Sequence, residues 1–483
     1  MSTFDLPVPH QLLLGGTWTD AAGKATFVVT DPATETPVAE VAAATEADVA
    51  AAVESATRGF GIWRATNAWE RSRVLRRTAE LIRDRVEQIA LVMTTEQGKP
   101  LAESRAETLA TADQYDWYAD EARRIYGRIV DGHGPGSRIF VRHEPKGVVA
   151  AFSTWNFPAL LASRKIAPAL AAGCAVIVVP AQETPLTTLM IVQALLDAGL
   201  PGETIQTLTG SATMMSPLLI AAPAVTKVSL TGSVPVGQAI MRAAAESLTE
   251  VSLELGGHAP VLVFADADIE AAARLCVGAK FRNAGQVCAS PSRFFVQEPA
   301  ADEFTRHFVA ATRDLRIGDG RDPATNVGPL TNARRLSAAE HLVADAEAIG
   351  ASVAYGGRRP DGFPAGHYYS PTVLTGVPDT ATIMVDEPFA PVAPIGTFST
   401  LEDALRKANS TEFGLAGYVF TRDLNTAFAA SDGIEAGMVA VNHMAIATAE
   451  APFGGVKKSG FGREGGTEGI LDYTHVKYVS VAL

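Results

Sequence analysis

Apolar residues in this chain recur with two periods. Over residues 45–58 (TEADVAAAVESATR) they return every three or four positions behind a Thr-x-x-Asp start, which predicts a capped amphipathic helix. Residues 68–95 and 102–124 alternate charged and Leu/Ile/Val/Ala faces at the same spacing and predict two long helices. Short strand-like pieces occupy 12–30, with GGTW at 15–18 as a hairpin turn. From Gly147 onward a unit repeats: strand GVVAAFS, helix 159–172, strand AVIVV, helix 185–198, strand TIQTLTG, helix 211–222, strand TKVSL. Strand–helix alternation of this kind predicts an α/β fold with a parallel, helix-covered sheet. A second α/β stretch, from about 258 to 440, is marked by helix 268–281 and the strands RFFVQ and GMVAVN. The tail VKYVSVAL is a further strand candidate.

One segment breaks the rhythm. IYGRIV, DGHGPGS and RIFVRHEP, spanning 125–145, predict two strands around a glycine-rich loop. An inserted hairpin has little core of its own, so it is either an edge for pairing with another chain or a plain surface excursion.

Length and composition narrow the class. At 483 residues and 47% hydrophobic content, two or three globular domains are expected. A net charge of −13 argues against nucleic acid or an anionic membrane as partner. The apolar run 166–181 is shorter than the ~20 residues a spanning helix needs and is interrupted by Gly173. The opening MSTFDLPVPHQ lacks the basic-then-apolar order of a secretory signal. Three cysteines, Cys174, Cys276 and Cys288, are too few for a disulfide framework and fit a reducing, cytoplasmic setting. The nine histidines form no HExxH or HxxxH pattern and no CxxC occurs, so no dedicated metal site is expected.

Four stretches could carry chemistry. Cys288, in FRNAGQVC, is either a nucleophile or one more small buried residue, and taken alone the ordinary burial of cysteine favours the second. TGSVPVG at 231–237 sits between a strand and a helix, where backbone N–H groups could meet a phosphate. Its glycines, Gly232 and Gly237, do not match G-x-G-x-x-G. In EVSLELGG, alternation puts Glu254 at the C-terminal end of a predicted parallel strand, the edge where α/β sheets gather ligands. Asn156, in TWNFPAL, is a turn residue or an amide aimed at a developing oxyanion.

Taken together, the blocks TWNFP, LTGSVPVG, LELGG, FRNAGQVC, DEPFAPVAPI and APFGGVKKSGFGRE, in this order and spacing, resemble the aldehyde dehydrogenase superfamily. The resemblance implies a Rossmann-type cofactor domain (1–122 and 146–256), an α/β catalytic domain (257–470) and a β-hairpin oligomerisation element (123–145 with 471–483). It shifts the inserted hairpin toward pairing in a homodimer or tetramer. It also implies that Cys288 attacks an aldehyde, that Asn156 and the Cys288 N–H hold the oxyanion, and that Glu254 activates water against a thioester. Gly232, Ser233 and Gly237 would serve the pyrophosphate, Trp155 the cofactor cleft, and Glu387 and Phe389 the nicotinamide riboside. Lys165 and Glu464 would form a supporting polar relay.

Two departures bear on cofactor and substrate. The family's usual lysine and glutamate at the adenosine ribose are Val179 and Gln182 here. Losing the carboxylate favours NADP and losing the ammonium disfavours it, so the expectation is NAD or NADP with a lean to NAD. Arg164 and Arg282 match the arginines that bind the distal carboxylate in succinate-semialdehyde dehydrogenases, and Phe453 joins them on the substrate side. A carboxylated semialdehyde is therefore expected. Against it, Ala447 stands where that subfamily places a serine, and Ser290 replaces its second active-site cysteine. The alternatives are a broad dehydrogenase of aromatic or aliphatic aldehydes, or a non-catalytic binding member of the family. A cysteine hydrolase lacks a histidine near the nucleophile's blocks.

Overall fold

The structure, a computed structural model, describes residues 8–482. The heptapeptide MSTFDLP, part of the segment read above for a leader, and Leu483, the end of the expected tail strand, lie outside the described residues.

The first sheet has five parallel strands at its centre, in the spatial order Glu250–Glu254, Val225–Thr231, Val148–Phe152, Ala175–Val179, Ile205–Thr207. Chain order reverses between Val148–Phe152 and Val225–Thr231. At such a switch point the loops leave in opposite directions and open a crevice at the carboxyl ends of the strands. Val148–Phe152 and Ala175–Val179 are buried at every position, as strands covered by helices on both faces must be. Each Val or Ile so buried contributes about 1.5–3 kcal/mol.

The two edges of this sheet come from distant parts of the chain. Leu12–Leu14 and Thr17–Thr19 form a hairpin on one side. The turn is only Gly15-Gly16, both at positive φ, so Thr17 and Trp18 of the expected turn belong to the strand. On the other side Gly460–Phe461 pairs with Leu253 and Glu254. That pair lies within 257–470, so the segment expected to form the catalytic domain also contributes the last strand of the first sheet.

The second sheet has seven strands, in the order Ser352–Tyr355, Thr372–Thr375, Val392–Phe398, Pro291–Gln297, Ala259–Val263, Ala416–Phe420, Met438–Val441. All but the first are parallel to their neighbours. A third, antiparallel sheet joins the inserted hairpin to the tail: Thr474–Ala482, Ser137–Pro145, Arg128–Asp131.

Helix Glu46–Ala65 begins with the expected capping box, Thr45 and Asp48 bonding each other's backbone N–H. The single helix expected over 68–95 is two, Ala68–Asp84 and Val86–Gln97, divided at Arg85. The amphipathic pattern runs across that break, so periodicity gives no sign of it.

Candidate active site

Cys288 lies where two cavities meet. One, of about 310 Å³, is walled by Trp155, Asn156, Gly232, Ser233, Glu387 and Phe389, among others. It shares Thr154, Thr231, Gly232 and Val236 with a cleft of about 630 Å³ that contains Val179 and Gln182. The two make one groove along the switch point of the first sheet, ending at the thiol. The other cavity at Cys288, of about 510 Å³, has mostly apolar walls and holds Arg164, Arg282 and Phe453.

Local backbone geometry brings the thiol there. Asn283, Ala284 and Gly285 all have positive φ, turning the chain sharply between helix Ile269–Phe281 and strand Pro291–Gln297. Only glycine adopts that region at no cost. The Gly-Gly turn after Glu254 makes room on two sides. A Cβ on Gly257 would stand 2.5 Å from the Cys288 carbonyl, and one on Gly256 would stand 2.5 Å from Glu387 Oε2.

Asn156 is buried on the loop after Val148–Phe152. Its Nδ2 donates to the Gln286 carbonyl at 3.0 Å, which fixes the amide plane and leaves its second N–H uncommitted. Glu254 is buried at the end of Glu250–Glu254, two strands over in the same sheet, and neither of its carboxylate oxygens has a hydrogen-bond partner among the described residues. Burial, then the charge of Glu464, pushes its pKa well above the carboxylate range, while Lys165, Arg164 and Arg463 pull it down. Lys165 bonds Thr231 Oγ1 at 2.7 Å and forms an ion pair with Glu464. The Cys288 thiol is pushed up to about 12 by burial and by the charges of Glu387 and Glu254, with Arg164 and the Ala289 N–H opposing. Among the described residues no histidine lines either cavity at Cys288.

The groove suits a dinucleotide. Helix Val234–Ser247 starts immediately after Gly232-Ser233 without a side-chain cap, so its first-turn N–H groups are available to a phosphate. Trp155 and Phe389 meet edge to face at 5.5 Å. Glu387 accepts the Gly257 N–H at 2.9 Å, and burial raises its pKa to about 7 against the pull of that bond, Arg335 and Lys280. Gly237 departs from expectation: it lines neither part of the groove. It sits inside helix Val234–Ser247, where a Cβ would come within 2.8 Å of Leu255, so its smallness serves helix–strand packing.

In the apolar cavity Arg164 is 1% exposed, its Nε and Nη2 lack hydrogen-bond partners among the described residues, and its guanidinium stacks 4.3 Å from the Phe453 ring. Arg282 lies 5.0 Å from the Phe157 ring at the same cavity. Ser290 and Ala447 are also in its wall.

The family model for the aldehyde dehydrogenase family matches residues 18–479. The chain belongs to the aldehyde dehydrogenase family. It is 40% identical to the succinate-semialdehyde dehydrogenase (NADP(+)) of Escherichia coli, over 98% of both chains. It is 43% identical to a 4-(hydroxymethyl)benzenesulfonate dehydrogenase of Comamonas testosteroni, over 97% of both. The crystal structure of succinate-semialdehyde dehydrogenase from Burkholderia pseudomallei superposes with a TM-score of 0.97 at 40% identity, covering both chains completely. This aldehyde dehydrogenase is therefore an NAD(P)-dependent oxidoreductase that takes an aldehyde to a carboxylic acid through a cysteine thioester. The non-catalytic alternative falls with that finding.

Sequence reasoning passed over several residues here. Arg335 lines the groove, 5.9 Å from the Phe389 ring. Lys99, Glu107, Asn283 and Gln286, all buried, form with the half-buried Glu103 a polar frame under Asn156. Asn283 and Gln286 stand inside a block that was legible, whereas nothing near Lys99 or Glu107 in sequence points to a site. No group of three or more His, Cys, Asp or Glu among the described residues is placed to hold a metal ion. No described helix is long and apolar enough to cross a membrane.

Proposed function

We propose that this enzyme oxidises aldehydes carrying a distal carboxylate, with succinate semialdehyde and its longer homologues first. The supporting observation is a buried guanidinium with free donors, Arg164, sharing with Arg282 the cavity that ends at Cys288. Two guanidiniums on one small anion supply orientation as well as charge.

The chemistry assigns roles to the chain's own groups. Cys288 first passes its thiol proton to Glu254 in its carboxylate form; the thiolate Sγ then forms a bond to the aldehyde carbon, and the carbonyl π electrons become an oxyanion. The free Asn156 amide N–H and the Cys288 backbone N–H hold that charge, an arrangement worth about 3–4 kcal/mol per donor in acyl-transfer sites. As that oxyanion re-forms a carbonyl, the C–H bond of the former aldehyde carbon breaks and a thioester is left; NAD or NADP, when bound, would supply the acceptor for the hydride released. Glu387 and Phe389 orient its riboside end, Gly232 and Ser233 meet its phosphates, and Trp155 walls the cleft. Glu254 then takes a proton from water as the oxygen adds to the thioester, the carbon–sulfur bond breaks, and the acid leaves. Lys165 and Glu464 hold the charge around Glu254.

The cofactor lean is to NAD. The cleft around Val179 and Gln182 has no Lys or Arg in its wall and carries Glu183, a poor seat for a 2′-phosphate. Exposed Tyr126, Ile129, Val476 and Tyr478 on and beside the third sheet support pairing with a second copy. Three unpaired thiols support a cytoplasmic setting.

A second reading is favoured by one observation: Phe157, Tyr418, Phe453 and Met444 give the cavity walls suited to an aromatic aldehyde, and the Comamonas relative bears a sulfonate-containing name. One experiment separates the readings. NAD and NADP are each assayed with succinate semialdehyde, a formylbenzenesulfonate and neutral aldehydes of matched length, for wild type and Arg282→Ala. The proposal expects NAD to be the better cofactor. It also expects Arg282→Ala to lower kcat/KM for the semialdehyde by about 10–100-fold, through KM, as loss of a charged hydrogen bond implies. Equal losses for charged and neutral aldehydes would reject the clamp, and a tenfold preference for NADP would reverse the lean.

A further inference from the structure

Beneath the oxyanion site lies an ion pair to which the reaction above gives no part. Lys99 and Glu107 are both fully buried, with Nζ 2.5 Å from Glu107 Oε2. Nζ also donates to the main-chain carbonyl of Asn156 at 2.6 Å and lies 4.0 Å from the Phe157 ring. Its three hydrogens thus face a carboxylate, a carbonyl and a ring face.

Each partner of this pair grips the loop that carries Asn156. Helix Pro158–Ala172 has no side-chain cap of its own. Glu107 Oε1 supplies one from a different helix, accepting the Ala159 N–H at 3.0 Å and the Leu160 N–H at 3.2 Å. A carboxylate on orphan first-turn donors is a strong anchor. The Asn156 carbonyl receives a second bond, from Asn283 Nδ2 at 3.0 Å. Asn283 Nδ2 also reaches the Gln286 carbonyl at 3.3 Å, the acceptor that fixes the Asn156 amide. These bonds close a ring, Asn156 C=O to Asn283 to Gln286 C=O to Asn156 Nδ2, and Lys99 is the cation that binds it, at the Asn156 carbonyl. One helix turn before Glu107, Glu103 accepts the Asn283 backbone N–H at 2.9 Å, so one face of helix Leu101–Glu121 holds both the amide loop and the nucleophile loop.

A buried ion pair adds little net stability over an apolar pair of the same volume, whereas removing one partner is costly. What this pair supplies is direction. We infer that Lys99 is a positioning residue for aldehyde attack: tethered by Glu107, it holds the main chain of Asn156 so that the side-chain amide points where the oxyanion forms. The inference rests on the proposed role of Asn156. A displacement near 1 Å at such a donor costs roughly 100-fold in rate, and Lys99 has no atom in the cavities at Cys288 through which to act directly.

The test is a single-turnover burst of reduced cofactor, read as amplitude and rate constant, in wild type, Lys99→Met, Asn156→Ala and the combination. Asn156→Ala is expected to slow the burst by about 100-fold, as loss of an oxyanion donor does. Lys99→Met is expected to slow it on the order of 10-fold with amplitude per folded protein retained. The combination is expected to be no slower than Asn156→Ala alone, because residues acting through one group are not additive. Should Lys99→Met be insoluble, Lys99→Met with Glu107→Gln removes both charges yet keeps an acceptor for Ala159 and Leu160, and the same comparison applies. A reduced amplitude with an unchanged rate constant would mean that Lys99 serves only folding and would overturn the inference. Multiplying losses in the combination would overturn it too. A normal burst in Asn156→Ala would instead sink the oxyanion role itself, a separate and recognisable failure.

Discussion

Glu254 holds its proton at a pH where an ordinary carboxylate has lost it. Burial and Glu464 raise its pKa, so below that raised value it is a neutral acid, and it becomes a base only as pH climbs through it. Deacylation is therefore expected to accelerate with pH along a limb lying well above the ~4.3 of a free glutamate. Glu254→Gln is expected to abolish that limb and lower kcat, while the burst of reduced cofactor persists. A kcat profile flat from acid to neutral pH, or one unchanged by Glu254→Gln, would remove the base assignment. At this scale the sequence was most informative where the chemistry is local. Cys288, Glu254 and Asn156 stand in short blocks whose glycines and prolines fix nearby turns. Lys99 and Glu107 were illegible because their roles are contacts to residues 57 and about 52 positions away, which no spacing rule records.

Elements, not side chains, set how closely these groups approach. The loop from helix Ile269–Phe281 to strand Pro291–Gln297 passes through three consecutive positive-φ residues, and a Cβ on Gly285 would lie 2.2 Å from the Ala390 carbonyl. Gly285→Ala is thus both strained and in collision with backbone. It is expected to displace Cys288 and lower the burst rate by at least about 100-fold. A wild-type rate in this variant would mean that the turn does not set the position of the thiol. Strand and helix positions were well marked by hydrophobic period. The division at Arg85 and the return of Gly460–Phe461 to the first sheet were not, since one leaves the amphipathic stripe intact and the other is a two-residue strand paired across two hundred positions. Gly237, grouped in sequence with the phosphate-like turn, lies inside the following helix, where a Cβ would meet Leu255 at 2.8 Å.

Across the whole molecule, two helix-covered sheets bring the switch-point groove and the arginine-bearing cavity together at Cys288. In the proposed reaction neither cavity alone suffices: the thiol they share would let a substrate bonded in one lose its hydride to a cofactor held in the other. The measurement that tests this most directly is the intact mass of Glu254→Gln after mixing with succinate semialdehyde and NAD, followed by peptide mapping. One succinyl group per chain, on Cys288, appearing together with one equivalent of reduced cofactor, is the expected result. Reduced cofactor formed with no acyl group on the protein, or an acyl group that persists in Cys288→Ala, would contradict it.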